Sequence, residues 1–286
     1  MQHPRTITET WLDKGRNRKI PVKIYLPDNE KKAPVLIFSH GIGGDCNSYQ
    51  YIGEFLARHG FVSVHPTHVG IDASLMGGDR PFQKLKEAAN DASFLHTLPE
   101  DIQFILDYME FKAMPYDLSR VAMAGHSFGS YVTMALAGQS VSRDGTEIDF
   151  QDERIKCGVV ISPLATRENP EEAYDMVEIP LLHITGQKDD SPFGLLDPSE
   201  RRVPYDNMNE TDQYLIIFEK ADHLIFAAQR RQNKFSEDDV KIMELTASAI
   251  REFLKKYLLK DKSAIDGPEF SDRLKPYASF EKKLQK

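Results

Sequence analysis

Apolar and polar residues follow two different rhythms along this chain, and the way the rhythms alternate predicts its architecture. Near the start, "TITETW" and "KIPVKIYLP" alternate partly with period two on either side of the polar "DKGRNR", which predicts an antiparallel strand pair within residues 6–26. "APVLIFSHG" and "FVSVHP" are continuous apolar runs instead, the pattern of strands buried on both faces of a parallel sheet. Between them, "SYQYIGEFLARHG" reads as a helix that stops at Gly60. The succession then repeats. "LPEDIQFILDYMEF" predicts a helix with Pro99 in the first helical position and Ile102, Ile105, Leu106 and Met109 along one face. Strand "RVAMAG", helix "GSYVTMALAG" and strands "KCGVVIS", "IPLLHITG" and "DQYLIIFE" follow. A closing helix, "SEDDVKIMELTASAIREFLKKYLL", has Ser236 and Asp239 at capping-box spacing and Phe253 and Leu254 on its core face. Strands alternating with helices predict an α/β fold: a mostly parallel central sheet with helices on both faces and every parallel strand ending on one edge.

Two stretches break the pattern. Residues 66–98 form a long loop excursion between a strand and its helix, a length more often functional than idle. Residues 261–286 form a charged tail containing Gly267, Pro268 and Pro276, expected to drape over the surface or fray. The predicted organisation is a single domain over residues 1–260, followed by that tail.

Composition narrows the function mainly by exclusion. The chain has 286 residues, 41% hydrophobic and 28% charged, which suits one enzyme-sized domain. A net charge of −8 with interspersed Lys and Arg offers no basic stripe, so no nucleic-acid partner is expected. No segment approaches the roughly 18 apolar residues of a membrane span. The first residues lack a secretory h-region, so cytoplasmic localisation is the default expectation, one that an already removed secretion signal would overturn. Cys46 and Cys157 are too few for a zinc site or a disulfide framework and are expected to be free thiols. None of this bears on oligomeric state.

The candidate chemistry centres on "AGHSFGSYVTMALAG", where Ser127 stands between Gly125 and Gly129, directly after a strand and before a helix. A G-x-S-x-G turn in that context lifts the serine to the sheet's C-terminal edge, with small residues because strand and helix backbones nearly touch. The helix N-terminus then aims N–H groups at any anion forming beside the hydroxyl. A serine needs a general base, and the base needs a carboxylate to orient it. Later strand ends supply both, Asp189 and Asp190 in "LLHITGQKDD" and His223 in "YLIIFEKADHLIF". His183 lies inside an apolar run and reads as a hydrogen-bonded core residue, and His126 as packing beneath the turn. His65, His68 and Asp72 could bind a metal, but with no second cluster nearby they read better as lining a substrate pocket, and no metal is expected.

With "SHGIGG", "AGHSFGS", "TGQKDD" and "ADHLIF" in this order, the chain resembles the α/β-hydrolase superfamily over nearly its full length. It is most similar to dienelactone-hydrolase-like proteins and to plasma-type platelet-activating-factor acetylhydrolases. The resemblance implies Ser127 as nucleophile, His223 as base and then acid, and one of the two aspartates as its partner. Asp189, three residues after the strand-ending Gly186, is favoured and Asp190 is the second candidate. It also implies an oxyanion hole from the N–H groups of Ile42 and Phe128, with Gly41 and His68 as substrate-binding residues and no cofactor. Two departures matter: dienelactone hydrolase carries cysteine where Ser127 stands, and the plasma acetylhydrolases take their acid after the strand that here ends in Ser162 and Pro163. The implied function is a serine carboxylesterase working through an acyl-enzyme on a small-molecule ester, with the 66–98 excursion bounding a pocket for short acyl groups. Thioesterase or amidase action, or ligand binding without catalysis, are the alternatives on the same fold.

Overall fold

The computed structural model describes residues 4–28, 32–112, 114–143, 146–166, 169–191, 194, 196–229 and 234–285. In chain order the elements are β1 (Arg5–Asp13), β2 (Arg18–Leu26), β3 (Ala33–Ser39), α1 (Gln50–Arg58), β4 (Val62–Pro66), α2 (Pro81–Ala89) and α3 (Phe94–Phe111). Then come β5 (Tyr116–His126), α4 (Phe128–Ala137), β6 (Val141–Arg143), β7 (Thr146–Ile148), β8 (Ile155–Ile161), α5 (Pro170–Ala173) and β9 (Leu181–Lys188). The chain closes with α6 (Val203–Asn207), β10 (Gln213–Asp222), α7 (His223–Phe226), α8 (Glu237–Leu259), α9 (Pro268–Leu274) and β11 (Ala278–Lys283).

Nine strands form one sheet in the order β1-β2-β4-β3-β5-β8-β9-β10-β11. From β4 to β10 neighbouring strands are parallel; β1, β2 and β11 are antiparallel to their neighbours. The apolar run of β3 explains its central place. Leu36 and Phe38 point to the face covered by α1 and α8, while Val35 and Ile37 point to the face covered by α3 and α4, and all four are at most 1% exposed. Burying such a side chain is worth about 1.5–3 kcal/mol. Because β4 lies on one side of β3 and β5 on the other, the connections leaving β3 and β5 diverge at their C-terminal ends. That divergence opens a crevice, the place where open α/β sheets bind ligands. The architecture is the α/β-hydrolase fold.

Three expectations need correction. Residues 66–98 are not a bare loop: they contain a 3₁₀ turn (Ala73–Met76), α2 and the first turn of α3. Pro81 at the first position of "PFQKLKEAA" was the available signal for α2. Pro99 lies inside α3 rather than at its start. A proline at this position cannot donate to the carbonyl of Leu95 four residues back, and that carbonyl instead accepts the Tyr131 hydroxyl at 2.6 Å from α4. The tail does not fray: Ile265, Phe270, Leu274 and Ala278 are buried, and β11 pairs with β10 from Ala278↔Phe218 to Lys283↔Gln213. By contrast Ile102, Ile105, Leu106 and Met109 are all buried, and Ser236 and Asp239 form the reciprocal cap of α8. The β6–β7 hairpin was not anticipated, although Asp-Gly between the two strands in the sequence is a hairpin signal.

Candidate active site

Backbone contact builds the turn at Ser127. A Cβ on Gly125 would lie 1.9 Å from the carbonyl oxygen of Gly129, and one on Gly129 would lie 2.0 Å from that of Ser39, so only glycine lets α4 descend onto β5 and β3. Ser127 itself has φ 56° and ψ −117°, a strained conformation for a non-glycine residue. It is held by its N–H donating to Ile161 O at 2.9 Å and by its carbonyl accepting from Ser130 N and Ser130 Oγ at 2.8 and 2.6 Å. Among the described residues its hydroxyl has no hydrogen-bond partner.

Asp189 and His223 meet across β9 and β10. His223 Nδ1 lies 2.7 Å from Asp189 Oδ1, and the other oxygen of Asp189 accepts the Thr185 hydroxyl at 2.7 Å. Gly186 allows the approach, since a Cβ there would sit 2.2 Å from Ala221 O. Asp189 is fully buried and Asp190 exposed, which places the first beside the imidazole and the second in solvent. With Nδ1 committed to the carboxylate, His223 Nε2 has no partner among the described residues.

Arg201, which no local sequence signal marked, completes the pair's surroundings. Its guanidinium is fully buried, with Nε donating to Asp189 O at 3.2 Å and Nη1 to the carbonyls of Ser162 and Pro163 at 3.1 and 3.0 Å. It thereby ties the end of β8, where no carboxylate stands, to the end of β9. Nε is also 3.6 Å from Asp189 Oδ1, and Nη2 is 3.4 Å from His223 Nδ1. Since that ring nitrogen carries its proton toward Asp189 at the shorter distance, the Arg201 contact is one of charge and not a hydrogen bond. Burial draws the guanidinium below its ordinary value even though Asp189 favours the charge.

The loop after β3 supplies the opposite wall. Gly41 N–H donates to Tyr49 Oη at 3.2 Å, Gly43 N–H to Ile71 O at 2.7 Å and Gly44 N–H to Gly41 O at 3.0 Å. Ile42 N–H, in their midst, has no acceptor among the described residues, and neither has Phe128 N–H at the start of α4. Two unclaimed donors flanking Ser127 are what a forming oxyanion requires. Gly41 packs against the nucleophile candidate: a Cβ on it would meet Ser127 Cβ at 3.3 Å.

A chain of hydrogen bonds joins this loop to His223. Tyr49 Oη donates to His126 Nδ1 at 2.8 Å, and His126 Nε2–H donates to the carbonyl of His223 at 3.1 Å. Since a carbonyl can only accept, the tautomer of His126 follows. Burial, with His223 and Arg201 nearby, holds His126 well below the ordinary histidine value, so it stays neutral.

His68 is corrected. It was expected to line the pocket, yet it is fully buried, with Nε2 2.8 Å from Ser39 Oγ and Nδ1 3.0 Å from Asp101 Oδ2. Asp101 also receives Arg18 Nε and Nη2 at 2.7 and 2.8 Å. Burial raises the Asp101 carboxyl, but the bonds from His68 and Arg18 outweigh it and hold the group below the usual carboxylate range. This Ser39–His68–Asp101 constellation is fully buried, and it braces the loop after β3: the His68 N–H donates to His40 Nε2 at 2.9 Å, and His40 Nδ1–H donates to Gly41 O at 2.7 Å. His65 and Asp72 bond elsewhere, to Ser63 and Ser48 and to Gly70 and Ser74 respectively, so the three are not a ligand set. His183 is a core residue as expected, with Nε2 2.8 Å from Gln213 Oε1.

The sequence profile of the chlorophyllase family matches residues 6–164, more than half of the chain; the match contains Ser127 and the loop after β3 and ends before Asp189 and His223. Platelet-activating factor acetylhydrolase of Cavia porcellus is 26% identical over 288 residues, covering 86% of this chain and 62% of that protein. The enzyme of the same name from Bos taurus is 25% identical over 203 residues, covering 58% and 43%. The chain thus spans about three-fifths of the first relative and about two-fifths of the second.

Proposed function

The chain belongs to the chlorophyllase family, and on that premise we propose that it is a serine hydrolase of carboxylic esters. One observation supports the reading: a buried carboxylate–imidazole pair at 2.7 Å whose histidine carbonyl is tied to His126, the residue before a strained serine at the end of β5, with the Gly41 loop packed against that serine. The acetylhydrolase relatives support ester cleavage as the reaction class.

In this mechanism Ser127 Oγ attacks the acyl carbon while His223 Nε2 removes its proton. Asp189 fixes the tautomer and stabilises the imidazolium that results. The N–H groups of Ile42 and Phe128 hold the oxyanion of the tetrahedral intermediate, an interaction worth about 3–4 kcal/mol per donor in comparable sites. The imidazolium then protonates the leaving alcohol. Water, deprotonated by His223, attacks the acyl-enzyme, and the imidazolium returns that proton to Ser127 Oγ as the acyl–oxygen bond breaks and the acid leaves. The open link is the Ser127–His223 hydrogen bond, and such bonds commonly tighten only when substrate is bound. The test is covalent labelling with an organophosphate followed by peptide mass spectrometry, alongside hydrolysis of a chromogenic acetate ester. An adduct on Ser127 and loss of turnover in Ser127→Ala are expected; full activity in Ser127→Ala would exclude the mechanism.

A further inference from the structure

Arg201 is placed for more than a salt bridge. It belongs to a 3₁₀ turn (Pro198–Arg202), and its neighbour Arg202 ties that turn to β11 through Glu281 at 3.2 Å. A guanidinium serving only to neutralise a buried carboxylate would meet it through two parallel hydrogen bonds. Here Nε stands 3.6 Å from Asp189 Oδ1, and the hydrogen bonds of Nε and Nη1 go to the carbonyls of Asp189, Ser162 and Pro163. The end of β8 is bent to offer two of these carbonyls, since Ser162 turns at φ 51° while its N–H stays bonded to Ile184 O at 2.8 Å. Asp189 is thereby fixed through its backbone, and its two carboxylate oxygens stay with Thr185 and His223. That leaves Nη2, bonded to no carbonyl or carboxylate among the described residues and facing His223 Nδ1 at 3.4 Å. With the proton of that nitrogen directed at Asp189, the approach gains no hydrogen bond and sets a positive charge against the ring.

We propose that Arg201 is a positioning residue for the reaction: its clamp on three carbonyls aligns Asp189 with His223, and its charge beside Nδ1 favours the neutral imidazole that receives the serine proton. The proposal rests on the ester-hydrolase reading. A like charge this close disfavours the protonated ring, by about tenfold or more in the equilibrium. The other groups around the ring do not replace it. From β9, Asp189 pulls the opposite way; from β5, His126 packs with ring centroids 4.5 Å apart and stays neutral; on the histidine's own element, Asp222 caps α7 by accepting from Ile225 N. Asp190, exposed, and Glu200, half-buried, act on Arg201 itself. The balance between one carboxylate and one guanidinium therefore sets how readily the imidazole takes the proton of Ser127 and, once charged, gives it to the leaving alcohol.

The experiment measures kcat and KM for one chromogenic ester across pH in wild type, Arg201→Gln and Arg201→Lys. Loss of rate on the alkaline plateau reports the clamp, and additional loss at the acid end reports the charge. Arg201→Gln should lose about tenfold in kcat on the plateau and about tenfold more at the acid end. KM should change little, because the guanidinium is fully buried. Arg201→Lys keeps the charge but not the planar fork, so it should show the plateau loss with an acid-end excess within about threefold. A purely structural arginine predicts the opposite sign: a loosened Asp189 would stabilise the imidazolium less, and the acid end would suffer no more than the plateau. Equal or smaller acid-end loss in Arg201→Gln, or wild-type plateau kcat in Arg201→Lys, overturns the proposal. If Arg201→Gln does not fold, the lysine variant decides: lowered plateau kcat with a wild-type acid-end ratio supports the proposal, and any other outcome overturns it. A second readout needs no turnover. In Ser127→Ala, NMR of isotope-labelled histidine at about pH 6 gives the protonated fraction of His223, its peak assigned by loss in His223→Gln. A rise on adding Arg201→Gln supports the charge placement even if the hydrolase reading fails, and no change or a fall overturns it.

Discussion

Replacing Asp189 with asparagine removes one charge and leaves the shape unchanged, and two consequences can be worked out from its neighbours. The Thr185 hydroxyl donates to one carboxylate oxygen and His223 Nδ1 faces the other. An asparagine keeps its carbonyl toward the threonine and turns its NH₂ toward the imidazole, which forces the proton onto Nε2 and removes the base. In a comparable protease that tautomer error lowers kcat about 10⁴-fold, equivalent to about 5 kcal/mol in the barrier. The second consequence concerns folding, because Asp189 is the carboxylate within reach of the fully buried Arg201. Leaving a buried cation uncompensated costs about 3–5 kcal/mol, with the lower figure expected here since three carbonyls still accept from the guanidinium. For a chain of this size that lowers Tm by about 5–10 °C. The assay is initial-rate kinetics on one chromogenic ester at a temperature where thermal melts show every variant folded, with Asp190→Asn as control. The exposed Asp190 should change stability by less than about 0.5 kcal/mol and turnover little. Turnover within tenfold of wild type in Asp189→Asn would refute the assignment, and collapse in Asp190→Asn would transfer it to the neighbour.

Three further outcomes are expected. Burial lowers His40 and His65 to about 3 and His183 to about 4 from an ordinary 6.5, so the unfolded chain binds more protons than the folded one below neutrality. Their stabilisation is complete above about pH 6.5 and declines as pH falls towards the folded values, by about 4 kcal/mol in total at pH 5.5; equal urea midpoints at pH 7.5 and 5.5 would contradict this. Tyr49→Phe strips partners from Gly41 N–H and His126 Nδ1, and should cost about 2 kcal/mol in stability and about tenfold in kcat with KM little changed; a wild-type kcat would show that the link to the base is idle. Gly125→Ala drives a methyl to 1.9 Å from a backbone oxygen, well beyond ordinary overpacking of about 1–3 kcal/mol, and should yield no active folded protein; soluble material with normal turnover would disprove the contact.

The sheet and the turn at Ser127 were legible because their signals are local. The runs "VLIF" and "VAMAG" are apolar because both faces are covered, and the glycines around Ser127 are needed by backbones adjacent in the fold and close in sequence. The choice between Asp189 and Asp190 was also within reach, because neighbouring residues on an extended segment face opposite ways. What was missed depends on partners distant in sequence. Arg201 reads as an ordinary surface cation until carbonyls from β8 and β9 surround it, and Tyr49 as a core aromatic until its hydroxyl meets His126. His68 looked available because 66–98 read as loop, whereas Ser39 and Asp101 enclose it. Pro99 looked like a helix start because the compensating hydroxyl comes from Tyr131, 32 positions further along the chain.

The two borders of the sheet are made differently from its centre, and this bears on how open its edges are to another strand. Both outermost strands are antiparallel and charged: β1 carries Arg5, Glu9 and Asp13, and β11 carries Glu281, Lys282 and Lys283. Charged residues on an outer strand discourage another chain from adding to it. Immediately inside β11 lies β10, whose stretch paired with β11, Gln213–Phe218, contains "YLII" and no charged residue. A chain shortened to residue 260 would expose that strand's row of N–H and C=O groups together with its apolar side chains. Such a fragment would be expected to self-associate and precipitate through β10, the strand that leads directly to His223. The last two dozen residues, remote from the chemistry in sequence, therefore serve as a guard against aggregation.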